Sequence, residues 1–512
     1  MKNKSNSSEI TPISTAFTLN AHQLLAIMHK RMLKKTAQPT SNEAHMGTLV
    51  MKFGGSTVGT AAALSQVLSI ILHEEKRWDN LIVVASALDG ITDMMLEAAQ
   101  LAQIGSARGY RRIAATIRTR HLALVELLPL GNLESTALQA DIDRLLFEML
   151  DICQQVANTS NEKLLPQISD AVAGVGERLS ARIIAAMLRH NDVRSVAIDG
   201  SDIIVTDDEF GNANPILKET EQRIEQNLAP MLSRKIVPVV TGYIGATRSG
   251  NPTTIGRGGS DYTASIISQC IHADEVWIWS DVDGMMSTDP RQVANAQIIN
   301  ELSYAEVAEL AYFGARILHA RMIKPLQDND ISLRIKNVYK PQHPGTVIHG
   351  DVDDQQHTLK AVTNIQGFVI TASRTGPVHD LIERVHEALY QASGSHMDTM
   401  LVSQSSSHTQ ICFVIPTTSG VETSNALSQM VYEALETVQD QDWNVAPIHI
   451  ITVIGQNLDR HNELIARIFD SLQGTNILGV SQGPSGCSMS IVLSPTDGPI
   501  ALSHIHDLVL AG

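Results

Sequence analysis

The last third of the sequence runs twice through one order of elements, and this repeat restricts the fold more than any other feature. After about Val347, "GFVITAS" reads as a strand and "HDLIERVHEALYQ" as a helix. "TMLVSQSSS" and "TQICFVIP" read as strands, and "ALSQMVYEALETV" as a helix. The same βαββα order returns in "PIHIITVIGQN", "NELIARIFDSL", "ILGVSQGPS", "CSMSIVLSP" and "ALSHIHDLVL". Gln404 in "VSQSSS" and Gln482 in "VSQGPS" hold matching places about 80 positions apart. Two copies of a small α/β module are expected, over 360–440 and 445–512.

The preceding stretch has another texture. "TLVMKFGG" from Thr48, "LIVVAS" from Leu81, "SVAID", "IVPVVTG" and "EVWIW" read as strands, with helical patterns between them. Strands alternating with helices predict an α/β domain over 48–350, its mostly parallel sheet covered on both faces. Ligands of such sheets sit beyond the carboxyl ends of the strands, so the glycine-rich turns there are the places to search. Residues 1–47 differ: a polar, Ser-rich start, then "AHQLLAIMHKRMLKK", a short basic amphipathic pattern. A poorly ordered extension is expected there; an organelle transit peptide has a similar composition.

Composition excludes several classes. A net charge of -16 offers no basic face for nucleic acid. No apolar run approaches the ~18 residues of a membrane helix. Cys153, Cys270, Cys412 and Cys487 are isolated, which suits a reducing cytoplasm and indicates neither a disulfide frame nor a metal site.

In "KFGGSTVG", glycines after a strand let backbone N–H groups approach an anion, and the next helix N-terminus adds positive potential. Lys52 adds a full charge, with Ser56 or Thr57 as N-cap. The pattern fits a phosphate cradle or a plain glycine turn, and there is no P-loop motif. "TTIGRGGSDYTA" carries more chemistry. Gly258 and Gly259 expose backbone amides, Ser260 can cap a helix, and Arg257 can grip a carboxylate or phosphate with two parallel bonds. Asp261 is either a dipole-compensating acid or a carboxylate beside a phosphate site. Together these describe phosphoryl transfer to a small acidic molecule. Glu177, opening the helix of "VGERLSARIIAAMLRH", reads as another first-turn acid or as the partner of a substrate ammonium. "SDVDGMMSTDPR" lacks the later ligands of a calcium loop. His121, His272 and His319 read as packed or surface histidines.

From about Gly47 to Gly512 these motifs resemble the aspartokinase family. They are "KFGGSTV", "VVASALDGITD", "GERLS", "IVTDDEFGNA", "TTIGRGGSDYTA", "SDVDGMMSTDPR", "YFGARILH" and "PGTVI". The repeats resemble its tandem ACT (ferredoxin-like) domains, and "MLVSQSSSHTQICFVI" resembles the threonine-regulated branch, often fused to homoserine dehydrogenase. With the sequence ending at Gly512, no dehydrogenase is expected after the repeats. The resemblance implies an amino-acid-kinase fold and transfer of the ATP γ-phosphoryl group to the β-carboxylate of L-aspartate. That reaction opens lysine, threonine and methionine biosynthesis.

It further implies catalytic roles for Lys52 and Asp261, with Asp261 organising the transferring group or its Mg²⁺. Thr92, Glu177, Arg257 and Ser260 would bind aspartate, Glu177 taking the α-ammonium and Arg257 the α-carboxylate. Lys52, Gly54, Gly55, Ser56, Ser86, Gly258, Gly259, Ser280, Asp281, Arg291 and Lys336 would bind ATP, with Lys340 an alternative to Lys336. Gln404 and Gln482 are candidate ligands of an amino-acid effector, threonine before lysine, or caps of their strand-end loops. Pairing of ACT domains implies a homodimer or larger assembly. Asp89 replaces a usual glycine, Met286 stands where many relatives carry tyrosine, and Ser56-Thr57 reverses a common order. The rival readings are another amino-acid kinase, such as a glutamate 5-kinase, and a catalytically silent amino-acid sensor.

Overall fold

The computed structural model describes residues 45–158, 165–314, 318, 320–350, 359–372, 378–393, 397, 399–404, 411–417, 421–436 and 442–511. Nearly all of the extension expected over 1–47 lies outside them, as does His319.

An eight-stranded sheet organises the first 350 residues. It comprises β1 (His45–Phe53), β2 (Trp78–Ala85), β3 (Ser195–Ile198), β5 (Val237–Thr241), β8 (Glu275–Ser280), β9 (Glu301–Ser303), β10 (Ser332–Asn337) and β11 (Thr346–His349), in the order β3-β5-β2-β1-β8-β10-β11-β9. β3/β5, β5/β2, β1/β8, β8/β10 and β11/β9 run parallel, and β10/β11 antiparallel. Three short strands, β4 (Val205–Thr206), β6 (Ile244–Thr247) and β7 (Pro252–Thr254), form a side sheet.

β1 explains why the pattern is apolar without alternation: both of its faces are buried. Leu49, Met51 and Phe53 pack with Trp277 and Trp279 under one helical layer; Val50 packs with Ile278 and Ala264 under the other. By the same alternation Lys52 faces the second layer. The helix after β1 starts differently from the sequence expectation. Ser56 and Thr57 lie inside a short turn of helix, Gly55–Val58, and Thr60 caps the long helix Ala61–Glu74 by accepting from the Ala63 N–H at 3.1 Å.

The two βαββα units share a single six-stranded antiparallel sheet. β12 (Leu359–Ala372) and β15 (Trp443–Gly455) are paired along their length at its centre. β14 (Ile411–Thr417) and β13 (Leu401–Gln404) extend it on the β12 side, β17 (Ser488–Leu493) and β16 (Ile477–Gln482) on the β15 side. One pair of helices, Val378–Ser393 and Val421–Glu436, packs with Phe368, Phe413 and Ile415; the other, Asn462–Ser471 and Gly498–Ala511, packs with Val362, Ile451 and Ile491.

The helix Tyr304–Tyr312 ties the two sheets together. Lys360 Nζ lies 3.0 Å from Glu306 Oε2, and Glu306 is fully buried while also closing a capping box with Ser303. Glu309 accepts from the Ser485 and Ser488 hydroxyls at 2.7 and 2.8 Å. Replacing Lys360 by methionine strands a buried carboxylate, so a loss of about 3 kcal/mol in unfolding free energy is expected. Urea denaturation followed by far-UV circular dichroism measures it. An unchanged midpoint would mean that Glu306 finds another partner.

Candidate active site

Several chain segments meet beyond the carboxyl ends of the central strands. The Ser86 N–H donates to Phe53 O at 3.2 Å, the Gly242 N–H to Ala85 O at 2.9 Å and the Gly54 N–H to Trp279 O at 3.3 Å. The turns after β1, β2, β5 and β8 are thereby neighbours. A Cβ at Gly55 would stand 3.0 Å from Ala87 O, a tight contact that the loop would have to relieve by a few tenths of an ångström. The loop with Ser86 closes directly over it.

Lys52 and Asp261 meet in this cleft, Nζ to Oδ1 at 2.5 Å, with side chains 11% and 13% exposed. They are 209 positions apart in sequence. The helix Gly259–Ile271 brings Asp261 in on its first turn. Its N-cap is Gly258, in the left-handed region at φ 71°, and not Ser260. Ser260 instead packs on Gly242, with no room for a Cβ between them. Gly256 is also left-handed at φ 78°, so Arg257 stands between two residues whose backbone only glycine adopts without strain. Arg257 is exposed and makes no ion pair among the described residues.

Glu177 enters from the first turn of the helix Val175–His190 and is almost fully buried. Burial pushes its carboxyl up to about 8, against the lowering effect of its own N–H and that of Ala87. The Ala87 contact places it beside the loop after β2. Thr92 lies in the first turn of the neighbouring helix Ile91–Gln103. Between the ordinary carboxyl range and pH 8 the folded protein holds a proton that the unfolded chain releases, so stability falls as pH rises through this window. Glu177→Gln is expected to match the wild-type melting temperature near pH 5 and exceed it at pH 9, by an energy on the order of a few kcal/mol. Scanning calorimetry of the ligand-free protein across pH checks this; parallel wild-type and variant curves would refute it.

Three residues that carried no signal in the sequence brace the cleft around Arg257. Asp170 Oδ2 accepts the N–H groups of Gly211 and Thr254, each at 2.8 Å, and Oδ1 accepts the Thr254 hydroxyl at 2.8 Å. This bolts the "EFGNA" segment to β7, just before Arg257. Tyr243, at φ 71°, packs its ring against Gly259 and feels the charges of Glu177 and Asp170. Arg321 holds the same segments from another element. An acid in "PQISDAVAG" or an arginine in "HARMIKP" matches no motif; only long-range contacts mark them.

The residues expected to meet ATP are more dispersed. Ser280 and Asp281 follow β8, with Ser280 Oγ donating to Asp281 at 3.1 Å. Arg291 is exposed and held by Asp289, the closest bond being 2.6 Å. Lys336 is buried, donates to His343 O at 2.9 Å and lies over the Trp277 and Trp279 rings at 5.3 and 5.4 Å. Paired with Trp279 in the sheet register, it lies on the face opposite Lys52, and burial lowers its pKa. Lys340 pairs with Asp283 at 2.6 Å in the loop after β8. That loop is stitched to the second sheet: Ser287 O accepts the Val362 N–H at 2.8 Å, and Ser287 Oγ lies 2.8 Å from buried His506 Nε2. Gln482 is exposed at the end of β16; Gln404 ends β13, and its side chain lies outside the described residues. His121 is buried against Ile117 O, its pKa lowered to about 4 by burial.

Among the described residues no three His, Cys, Asp or Glu side chains form a metal cluster, and no helix is long and apolar enough to cross a membrane.

Residues 47–337 match the amino acid kinase family. Aspartokinase 2, chloroplastic, of Arabidopsis thaliana is 30% identical over 473 residues, covering 90% of this chain and 84% of the relative. The bifunctional aspartokinase/homoserine dehydrogenase 1, chloroplastic, of the same plant is 29% identical over 89% of this chain. The chain spans about half the length of that bifunctional relative, 50%. E. coli aspartokinase III, solved with aspartate and ADP, superposes with a TM-score of 0.72 at 26% identity, covering 90% of this chain and 100% of its own. The same enzyme solved with lysine and aspartate gives 0.75 at 25% identity, over 90% and 99% of the two chains.

Proposed function

This chain belongs to the amino acid kinase family, and within it to the aspartokinases; from that premise we propose that it transfers the γ-phosphoryl group of ATP to the β-carboxylate of L-aspartate. What supports the reading is the Lys52–Asp261 pair in a cleft of glycine turns, with Arg257 exposed and unneutralised nearby. The Arg257 guanidinium takes the α-carboxylate through two parallel bonds. Glu177 takes the α-ammonium, whose charge favours the ionised carboxylate that burial alone disfavours. Thr92 and Ser260 complete the pocket.

The β-carboxylate is already ionised at neutral pH, so the reaction needs no general base. Its oxygen attacks the γ-phosphorus, the bond to the β-phosphate oxygen breaks, and ADP leaves. Lys52 offsets charge on the transferring group, and the backbone at Gly54, Gly55, Gly258 and Gly259 approaches the phosphates closely. Catalysis is then positioning plus electrostatics. A nucleotide-bound Mg²⁺ fits this donor set, because that ion keeps its phosphate and water ligands and needs only one or two carboxylates. Asp261 is placed to supply one; when bound, the ion neutralises phosphate charge. Ser56, Ser86, Ser280, Asp281 and Arg291 form the rest of the nucleotide set, with Lys336 or Lys340 at its edge.

The second sheet is the regulatory part of the proposal, with an end-product amino acid as effector and threonine as the first candidate. The Glu309 and Ser287 contacts give its strands and helices a direct hold on the first sheet. An effector regulates by favouring one arrangement of those contacts over another. Pairing between copies in a homodimer or larger assembly belongs to the same proposal, and the free cysteines suit a cytoplasmic setting.

The test is aspartyl phosphate formation, trapped as the hydroxamate, with threonine or lysine titrated in. Product that falls with threonine supports both parts. Suppression by lysine alone keeps the kinase and replaces the effector. No product from folded protein at saturating Mg-ATP and aspartate refutes the kinase reading.

A further inference from the structure

We propose that Arg321 is a positioning residue that aims Arg257 at the substrate, by clamping the turn that carries Arg257 against the segment Asn212–Asn214. The inference rests on the aspartate reading of Arg257 given above.

Arg321 belongs to the one-turn 3-10 segment Ala320–Met322, directly after "YFGARILH" and 64 positions after Arg257. One terminal nitrogen, Nη1, donates to Asn212 Oδ1 at 2.7 Å and Ile255 O at 3.0 Å. The other, Nη2, donates to Ala213 O at 3.2 Å and Asn214 Oδ1 at 3.0 Å. The guanidinium carbon lies 4.8 Å from the centre of the Tyr262 ring. Ile255 is two residues before Arg257, and Tyr262 follows Asp261 on the helix Gly259–Ile271. Arg321 therefore grips both shoulders of the Gly256–Arg257–Gly258 turn and the chain lying beside it.

The turn needs such a clamp. Gly256 and Gly258 are both in the left-handed region, at φ 78° and 71°. Glycine imposes no preference there, so the native turn is chosen by its surroundings rather than by its own residues. Asp170 fixes the preceding strand by accepting from Thr254 and Gly211, but it stops short of Arg257. Arg321 continues the fixation up to Ile255 and across to Tyr262. Only a planar fork reaches these separate oxygens at once; a lysine ammonium concentrates its donors at one point. An arginine carrying a bidentate grip loses it when its turn shifts by about 1 Å, a displacement that can cost on the order of 100-fold in rate.

Arg321→Lys and Arg321→Ala in the full chain test this. Both are expected to raise the KM for aspartate by roughly tenfold or more while the KM for ATP moves by less than about twofold, and lysine is not expected to rescue. Amide hydrogen exchange in the ligand-free proteins should accelerate at Ile255 and Gly259, whose N–H groups donate to Tyr243 O and Gly256 O on either side of the turn, and stay unchanged in β1 and β8. If Arg321→Ala fails to fold, Arg321→Lys carries both readouts. Equal changes in the two KM values, rescue by lysine, or unaltered exchange at the turn would overturn the proposal. A wild-type protein without aspartate kinase activity would refute the substrate reading instead, and the exchange data would still decide whether the clamp exists.

Discussion

Lys52→Met is expected to lower kcat for aspartyl phosphate formation by roughly 10³–10⁵-fold, the range seen when a single transition-state cation is removed from a phosphoryl-transfer site. The size follows from where the ammonium lies. It is 11% exposed, so little water screens it, and it is 2.5 Å from Asp261 in the free protein. A charge held in a fixed, partly desolvated place does not reorganise as phosphate charge develops. The single substitution also leaves the Asp261 carboxylate without its cation beside the phosphates. The double variant Lys52→Met/Asp261→Asn removes both charges, and its melting temperature is expected to recover toward wild type while its activity is not. Hydroxamate kinetics and thermal melts on the three proteins make the comparison. A double variant that regained activity would place the role of Lys52 in charge balance and not in the transfer.

The second large effect belongs to Arg257. Arg257→Ala is expected to raise the KM for aspartate by roughly 10²–10³-fold, corresponding to the loss of two charge-assisted hydrogen bonds. It should leave the melting temperature within about a degree, since truncating an exposed side chain away from structural features changes stability little. Arg257→Lys keeps the charge and loses the fork, so an intermediate KM is expected. The combination of a large kinetic and a negligible thermal effect distinguishes Arg257 from Lys52 and from Lys360, whose charges are already committed within the protein. An unchanged KM would remove Arg257 from the substrate pocket and with it the premise of the Arg321 clamp. Steady-state kinetics with aspartate and ATP varied separately supply the answer.

The two residues of these predictions were legible in the sequence for the same reason. Lys52 and Arg257 stand in short runs where strand, glycine and charge follow one another, and such runs have few structural uses. Thr60 was missed as a cap because Ser56 and Thr57 offer the same hydroxyl earlier. Both lie inside the short turn of helix Gly55–Val58, ahead of the long helix that Thr60 caps. Ser260 was expected to cap a helix, and Gly258 does so without a side chain.

By itself the sequence determined the alternation of strand and helix around the first sheet, the duplicated βαββα unit, and the glycine turns whose Lys52 and Asp261 meet in the cleft. Each of these is written locally, as a period, a turn or a short motif. Tertiary structure alone decided that Lys52 pairs with Asp261, that the two repeats merge through β12 and β15 into one sheet, and that Glu177 loses its water. It also decided that Asp170 and Arg321 hold Thr254 and Ile255, just before Arg257. These depend on which residues come within a few ångströms after the chain has crossed one or two hundred positions. A contact of that kind leaves no period in the sequence, because either partner alone satisfies every local rule equally well elsewhere.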